Sequence, residues 1–434
     1  MLLKGKYATA AVYAELIEGQ AIAQITAMLN MPFTKGTKIA IMPDVHSGKG
    51  CTIGTTMTVH DKVVPNLVGV DIGCGVTFCE IDEQGGIGEQ ELAALDAAIY
   101  AYIPSGFDVR DDYWREEHPG SKRGPDFWGL NGFDERDLRS LRCANNVSID
   151  RAVASVGSLG GGNHYIECDK GADGRIWLAV HSGSRSLGTG AAEYYQKLAI
   201  RQRRASCKGD FAEEVRKIKE QCKDAPENIS KMIAELKAAV KSAVPDDLCW
   251  LDAADGAEYD DYLHDMAIIQ KYAALNRLAM IKEITSRMGW KTGRTIETIH
   301  NYIDTENMIL RKGAVSAQKD ELLVIPLNMR DGILICKGKG NPDWNFSAPH
   351  GAGRILSRSA AKKSLAMEDF KKSMDGIFTT SVNLDTLDES PMVYKPAEAI
   401  KEAVKDTVEI LDTAKPVYNF KAAEKRSGKN RSRP

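Results

Sequence analysis

Asp71 and Cys74 stand three residues apart in the glycine turn GVDIGCGV, a spacing that lets both side chains point at one centre. A thiolate is a strong ligand that can bridge two metal ions, and a carboxylate adds a hard oxygen. Alone the pair says little, because a D-x-x-C pair in a buried strand is usually packing. In GSLGGGNHYIE (157–167), four glycines precede Asn163 and His164. Glycines let backbone N–H groups approach a phosphate. Asn163 can donate its amide to a phosphate oxygen, and His164 can ligate a metal. HSGSR (181–185) packs His181, small hydroxyls and Arg185 together, and arginine makes two-pronged phosphate contacts that lysine does not. His300 lies in TIHNYI, where a lone strand histidine is more often a satisfied core residue than a ligand.

In SAPHGAGRILSRS, His350 stands on a glycine turn just ahead of Arg354 and an expected helix start. A helix start binds anions through its free N–H groups and dipole. A neutral imidazole nitrogen there is placed to attack a phosphorus atom; the blander reading is a helix cap with an incidental histidine. His46, in DVHSGKG, has similar surroundings, whereas His60, His118 and His264 read as ordinary surface or helix residues. Together these segments supply Asp71, Cys74, His164, His181 and His300 for metal. They supply His350, Arg185 and Arg354 for phosphate. Carboxylate, thiolate and imidazole donors suit a borderline divalent ion such as Mn, Co, Fe or Zn, and spacing does not choose among them.

Residues so far apart meet only if a strand scaffold holds their loops. KIAIMP (38–43) reads as a buried strand, and NLVGVDIGCGVTFCEID (66–82) is β-branched on both sides of its glycines. Residues 88–103 have helical spacing, while 105–140 are polar and aperiodic and read as a long surface excursion. RIWLAVHSGSRSLG (175–188) is a strand running into a turn. Residues 205–245 carry dense charge on an apolar frame, which predicts an inserted helical hairpin broken at Pro226. Residues 257–288 predict a long helix from apolar positions three and four apart. TIETIHNYI, ELLVIPLNM and GILICKG return to strands, and APHGAGR leads into a short helix. There is no repeat and no Pro/Ser linker. The expectation is an α/β (α+β) chain: one large domain over 1–421 with mixed sheets, surrounding helices and a central cleft built from glycine-rich loops. A basic, mobile tail is expected over 422–434.

The totals narrow the classes. The chain has 434 residues, 43% hydrophobic and 27% charged, enough for a sizeable core. A net charge of −3 argues against holding polyanions by bulk charge. Any nucleic-acid contact must be a local groove. The N-terminal MLLKGKYATAAVYAEL lacks a signal peptide's apolar core, and no stretch reaches the roughly 18 apolar residues of a membrane span. Nine scattered cysteines fit reduced thiols in a cytoplasmic protein.

MPDVHSGKG, GVDIGCG, GGGNHYIE, HSGSR, the HNY element, RKGAVSA and HGAGR occur in this order in the RtcB ligases. The chain resembles that family from about residue 30 to about residue 421. The resemblance implies the RtcB-like fold and a GTP-using RNA ligase. Such an enzyme joins 2′,3′-cyclic phosphate or 3′-phosphate ends to 5′-hydroxyl ends, in tRNA splicing or RNA repair. It implies two manganese ions bridged by Cys74, with Asp71 and His164 completing one site and His181 and His300 the other. His350 would take GMP, with Asp44 orienting it. Asn163 and the turn Gly351, Ala352, Gly353 would contact the nucleotide. Glu167 would pair with the guanine edge, Tyr394 and Lys421 would close over the base, and Arg185 and Arg354 would grip the RNA phosphate. A monomer, and an archease-type activator, go with the same resemblance.

The chain departs from the better-known members at IPLNMRDG (325–332), where they carry a glycine–serine turn against guanine. It also departs in the helical insert and in the extension beyond Lys421. Two other readings compete: a metal-dependent cyclic phosphodiesterase that does not ligate, and a non-catalytic RNA-binding protein. A guanylyl acceptor at His350 and a guanine reader at Glu167 favour the ligase.

Overall fold

A computed structural model describes residues 1–82, 87–206, 208–223 and 226–422. Seven strands form one antiparallel sheet, in the order Lys291–Ile299, Gly75–Asp82, Ile176–Ser182, Tyr165–Lys170, Val408–Lys421, Gly332–Gly338 and Leu322–Asn328. Six form another, in the order Leu2–Lys4, Thr9–Val12, Ile39–His46, Ile53–Thr58, Ile309–Lys312 and Asn301–Asp304. Its one parallel pair among the described strands is Thr9–Val12 with Ile39–His46. The chain is mixed α/β, as expected.

The central strands have no solvent-exposed face because both of their sides are covered. IWLAVHS (176–182) is buried at every position, as a short continuous apolar run predicts. On one face Leu178 and Val180 meet Leu92, Leu95 and Ile99 of the helix Glu89–Tyr102 and Met280 and Ile284 of the helix Glu258–Met288. On the other, Trp177 stacks on Phe78 with ring centroids 4.6 Å apart, beside Ile333 and Ala414.

The helix Glu258–Met288 buries Tyr262, Met266, Ile269, Ala273, Arg277, Met280 and Ile284, one stripe at three- and four-residue spacing. Gly289 ends it at φ 69°, in the left-handed region that glycine occupies at little cost. Arg277 is the odd member of that stripe. Its side chain is fully buried and donates to the carbonyls of Gly73 and Ser182, each at 2.8 Å, to Thr77 Oγ1 at 3.0 Å and to the Glu297 carboxylate.

Three expectations change in detail. The segment 105–140 is not only a surface excursion, since its short helices carry Phe127 and Leu138, and the loop between them Phe133, into the main core. The helix after HGAGR begins at Arg358, capped by Ser357, and not at Arg354. Arg354 instead forms an isolated bridge with Tyr394, and Ile355 N–H donates to Val393 O. His350 therefore gains nothing from a helix dipole. NLV in 66–82 is a helical turn, Pro65–Val68, and only Gly75–Asp82 is strand. The inserted hairpin is present as the helices Lys208–Gln221 and Ile229–Ala243, with a tight turn at Pro226–Asn228. The expected tail over 422–434 lies, beyond Ala422, outside the described residues. The eight described cysteines are buried. No helix among the described residues is long and apolar enough to cross a membrane.

Replacing Arg277 by the similarly long methionine strands two loop carbonyls and Glu297. The Arg277→Met protein should lose about 3 kcal/mol of stability, read as a lower midpoint in urea with an unchanged slope.

Candidate active site

Strand register brings the five sequence-predicted ligands together. Gly75 lies opposite Ser182 on one side and Ile299 on the other, and His181 lies opposite both Val76 and Tyr165. Cys74 and His164 immediately precede their strands and His300 immediately follows its own. All three, with His181, thus emerge at one end of four adjacent strands. Cys74 Sγ is 3.5 Å from His164 Nε2 and 3.4 Å from His181 Nε2. His181 Nε2 is 3.0 Å from His300 Nε2, and Asp71 Oδ2 is 3.0 Å from His164 Nε2. A tight turn carries Asp71: Cys74 N–H donates to Asp71 O, Gly73 has φ +72°, and Ser184 N–H holds Asp71 Oδ1 at 3.0 Å. Asp71, Cys74 and His164 form one group with ligand atoms within 4.8 Å of each other; Cys74, His181 and His300 form a second.

The donor chemistry fits metal ions. His164 Nδ1 is 2.9 Å from Leu159 O, and His181 Nδ1 is 3.1 Å from Asn163 O. Each ring therefore carries its proton on Nδ1 and turns an Nε2 lone pair inward. Those lone pairs face the Asp71 carboxylate and the Cys74 sulfur, so acceptors confront acceptors, an arrangement that a shared cation makes attractive. Burial, followed by the neighbouring His300 and His164, holds His181 well below the usual imidazole range. Burial and then His350 do the same to His300. Burial and the Asp71 charge push the Cys74 thiol up. For Asp71, burial raises the carboxyl, but its close contacts with His164 and Cys74 outweigh that and bring it to about 2. A divalent ion between the two acts in the same direction. Cys74 belongs to both groups, as a bridging thiolate would.

His350 follows the short strand Ser347–Pro349 and lies beside this cluster, its ring centroid 4.8 Å from that of His300. Its Nδ1 is 2.7 Å from Oδ2 of Asp44, a fully buried carboxylate in the strand Ile39–His46. That contact puts the ring proton on Nδ1 and leaves the Nε2 lone pair free. Gly353, at φ +71°, makes the approach possible: a Cβ there would fall within 2.9 Å of three Asp44 backbone atoms.

A cleft opens beside His350, lined by Asn163, Glu167, Gly351, Ala352, Gly353, Arg354, Tyr394 and Lys421 among the expected residues. Pro326, Leu327, Asn328 and Met329 of the IPLNMRDG segment form another wall. Arg185 is not in this lining. It donates to Ser158 Oγ at 3.1 Å and to Gly106 O at 2.7 Å. Its guanidinium also packs where a Cβ on Gly160 would stand. It therefore braces the glycine loop from behind, partly exposed but outside the cleft. Arg354 reaches the cleft, but its guanidinium binds Asp388 O at 2.6 Å and Glu389 Oε1 at 3.2 Å.

The model of the family described as tRNA-splicing ligase RtcB matches residues 24–422. RNA-splicing ligase RtcB of Escherichia coli (strain K12) is 30% identical over 427 residues, covering 93% of this chain and 95% of that protein. RNA-splicing ligase RtcB2 of Escherichia coli (strain ATCC 25922) is 25% identical, covering 89% of this chain and 88% of its own. The tRNA-splicing ligase RtcB of Archaeoglobus fulgidus is 25% identical, covering 90% and 88%. The chain belongs to the RtcB family.

Sequence reading of this RtcB family member passed over Glu389. That carboxylate is 2% exposed and is bound by Lys421 Nζ at 2.9 Å, Arg358 at 2.8 Å, Arg354 and the Tyr394 hydroxyl at 2.6 Å. Burial raises its carboxyl, but Lys421, Arg358 and Arg354 outweigh that and hold it at about 2. Nothing in LDESP signals this role; a cue existed only for Arg358, four residues beyond Arg354 in a motif already singled out. Asn419 was also missed. It lies in the strand Val408–Lys421, whose alternating charges gave no strand signal.

Co²⁺ added to the metal-stripped protein should give an absorption band from a cobalt–thiolate bond. Cys74→Ser should abolish the band and lower the bound metal measured by elemental analysis.

Proposed function

We propose that this chain is a GTP-dependent RNA ligase. It would join RNA 2′,3′-cyclic phosphate or 3′-phosphate ends to 5′-hydroxyl ends through a GMP carried on His350, in tRNA splicing or RNA repair. One observation carries the reading. An imidazole with its Nδ1 fixed by a buried carboxylate stands beside a thiolate–imidazole cluster, at the mouth of a nucleotide-sized cleft lined by a carboxylate. Family membership supports the RNA chemistry, because the relatives are named RNA-splicing and tRNA-splicing ligases.

Two manganese ions, one held by Asp71, Cys74 and His164 and the other by Cys74, His181 and His300, would neutralise triphosphate charge and polarise phosphoryl oxygens. Asp44 keeps the His350 proton on Nδ1, so the Nε2 lone pair attacks the α-phosphorus of GTP. The P–O bond to the leaving pyrophosphate breaks, and Asp44 stabilises the positive charge that develops on the ring. An oxygen of the RNA 3′-phosphate then attacks the same phosphorus, breaks the P–N bond and regenerates His350. The RNA end now carries GMP through a phosphoanhydride. The 5′-hydroxyl attacks the RNA phosphorus, loses its proton and expels GMP. A cyclic phosphate must first be opened by water. Asn163, at the cleft wall, is placed to donate to a phosphate oxygen, and Glu167 can accept the guanine N1–H and exocyclic amine.

The test is incubation with Mn²⁺ and α-labelled GTP. Wild-type protein should take up label that survives denaturation and is released by acid, and His350→Ala should take up none. Asp44→Asn should slow labelling on the order of 10–100-fold, the usual cost of losing a partner that orients an imidazole. Opening of a cyclic phosphate without protein labelling would point to the hydrolase instead.

A further inference from the structure

Glu167 does not stand alone at the cleft. On the same strand two residues on, and so on the same face, Asp169 is completely buried. At successive positions on one face of the strand, the two buried carboxyl groups act directly on each other. Neither oxygen of Asp169 has a hydrogen-bond donor among the described residues. Glu167 is 3% exposed and is otherwise held by the Asn419 amide, which donates to Oε2 from the neighbouring strand. Two carboxylates cannot share a dry contact as anions, so the pair must hold a proton. The charged or titratable neighbours are Tyr165 on the same strand and Lys421 on the adjacent one. The Lys421 ammonium is 2.9 Å from Glu389.

We propose that Asp169 is a positioning residue for nucleotide selection: as a neutral acid it donates its proton to Glu167, keeping Glu167 an ionised, acceptor-only reader of the base. The assignment of the proton follows from burial. Asp169 faces no cation, and burial and then the Glu167 charge push its carboxyl well up. Burial raises Glu167 less, to about 7, because contacts with Asp169 and Asn419 and the Lys421 charge pull it the other way. Guanine presents two N–H donors on its Watson–Crick edge. A carboxylate accepts both, whereas a carboxylic acid turns one contact into donor against donor. The pair thus stores one proton in a place where it favours guanine, and a second proton abolishes the preference.

This inference rests on the proposed use of GTP, and one experiment separates the two. GTP and ATP affinities are measured from mildly acidic to mildly alkaline pH for wild type, Asp169→Asn and Asp169→Ala. Wild type should prefer GTP and lose that preference as pH falls and Glu167 takes up the second proton. Asp169→Ala leaves Glu167 buried without its donor and should weaken GTP binding on the order of tenfold at neutral pH. Asp169→Asn supplies an N–H donor with no proton to lose. It should recover most of that affinity and carry the preference to lower pH than wild type. A merely structural role would make both variants alike and leave the pH profile where it was; that result overturns the proposal. If Asp169→Ala does not fold, the pH profile of Asp169→Asn decides alone. A wild-type protein with no preference for GTP would overturn the proposed function itself, and this inference with it.

Discussion

One buried guanidinium sets the geometry on which the candidate site depends. Arg277 reaches from the middle of a long helix to the carbonyls of Gly73, in the turn carrying Cys74, and of Ser182, the last residue of the strand carrying His181. Pairing between that strand and Gly75–Asp82 stops at Gly75 and Ser182. Past that point the chain needs another source of order, and a planar fork with five donors supplies it. Glu297 and Thr77 complete its shell and keep the charge compensated. The ligand atoms are preorganised by protein–protein contacts, which lowers the cost of gathering them around a cation.

The second half of the site is built by close backbone approach. His350 and Asp44 come from different strands, and Gly353 lets the HGAGR loop lie directly on the Asp44 backbone. Lys395 adds a tie, its ammonium donating to Pro43 O at 2.6 Å. A buried carboxylate and a half-buried imidazole are then within hydrogen-bond distance with no side chain between them. The same economy appears at Gly160, where the missing Cβ admits Arg185 and the His164 ring.

Much of this was legible in the residues. Cys74, His164, His181 and His300 are short, unusual segments at strand ends, and a strand end is where an ordered sheet hands a side chain to solvent or ligand. Periodicity found the long helix and the buried strands. It failed where side chains answer to distant partners. Val408–Lys421 alternates charge and apolar residues too irregularly to announce a strand that lies inside a sheet. Arg185 and Arg354 look like free phosphate grips in sequence, because nothing local shows that Ser158, Gly106, Asp388 and Glu389 will receive them. Glu389 and Asp169 were silent for the same reason: a carboxylate's meaning lies in what folds against it.

The strand Val408–Lys421 sits fifth of seven, between Tyr165–Lys170 and Gly332–Gly338. This strand therefore joins the two parts of the sheet. Without it, Tyr165–Lys170 and Gly332–Gly338 share no strand pairing and each presents an open edge. Assembly must wait for a pairing between residues some 250 positions apart, such as Glu167 with Asn419, the kind of non-local closure that slows folding. Chains lacking this strand would leave the loops around Cys74, His164 and His181 only partly supported and the cleft beside His350 without the wall that Asn419 and Lys421 form.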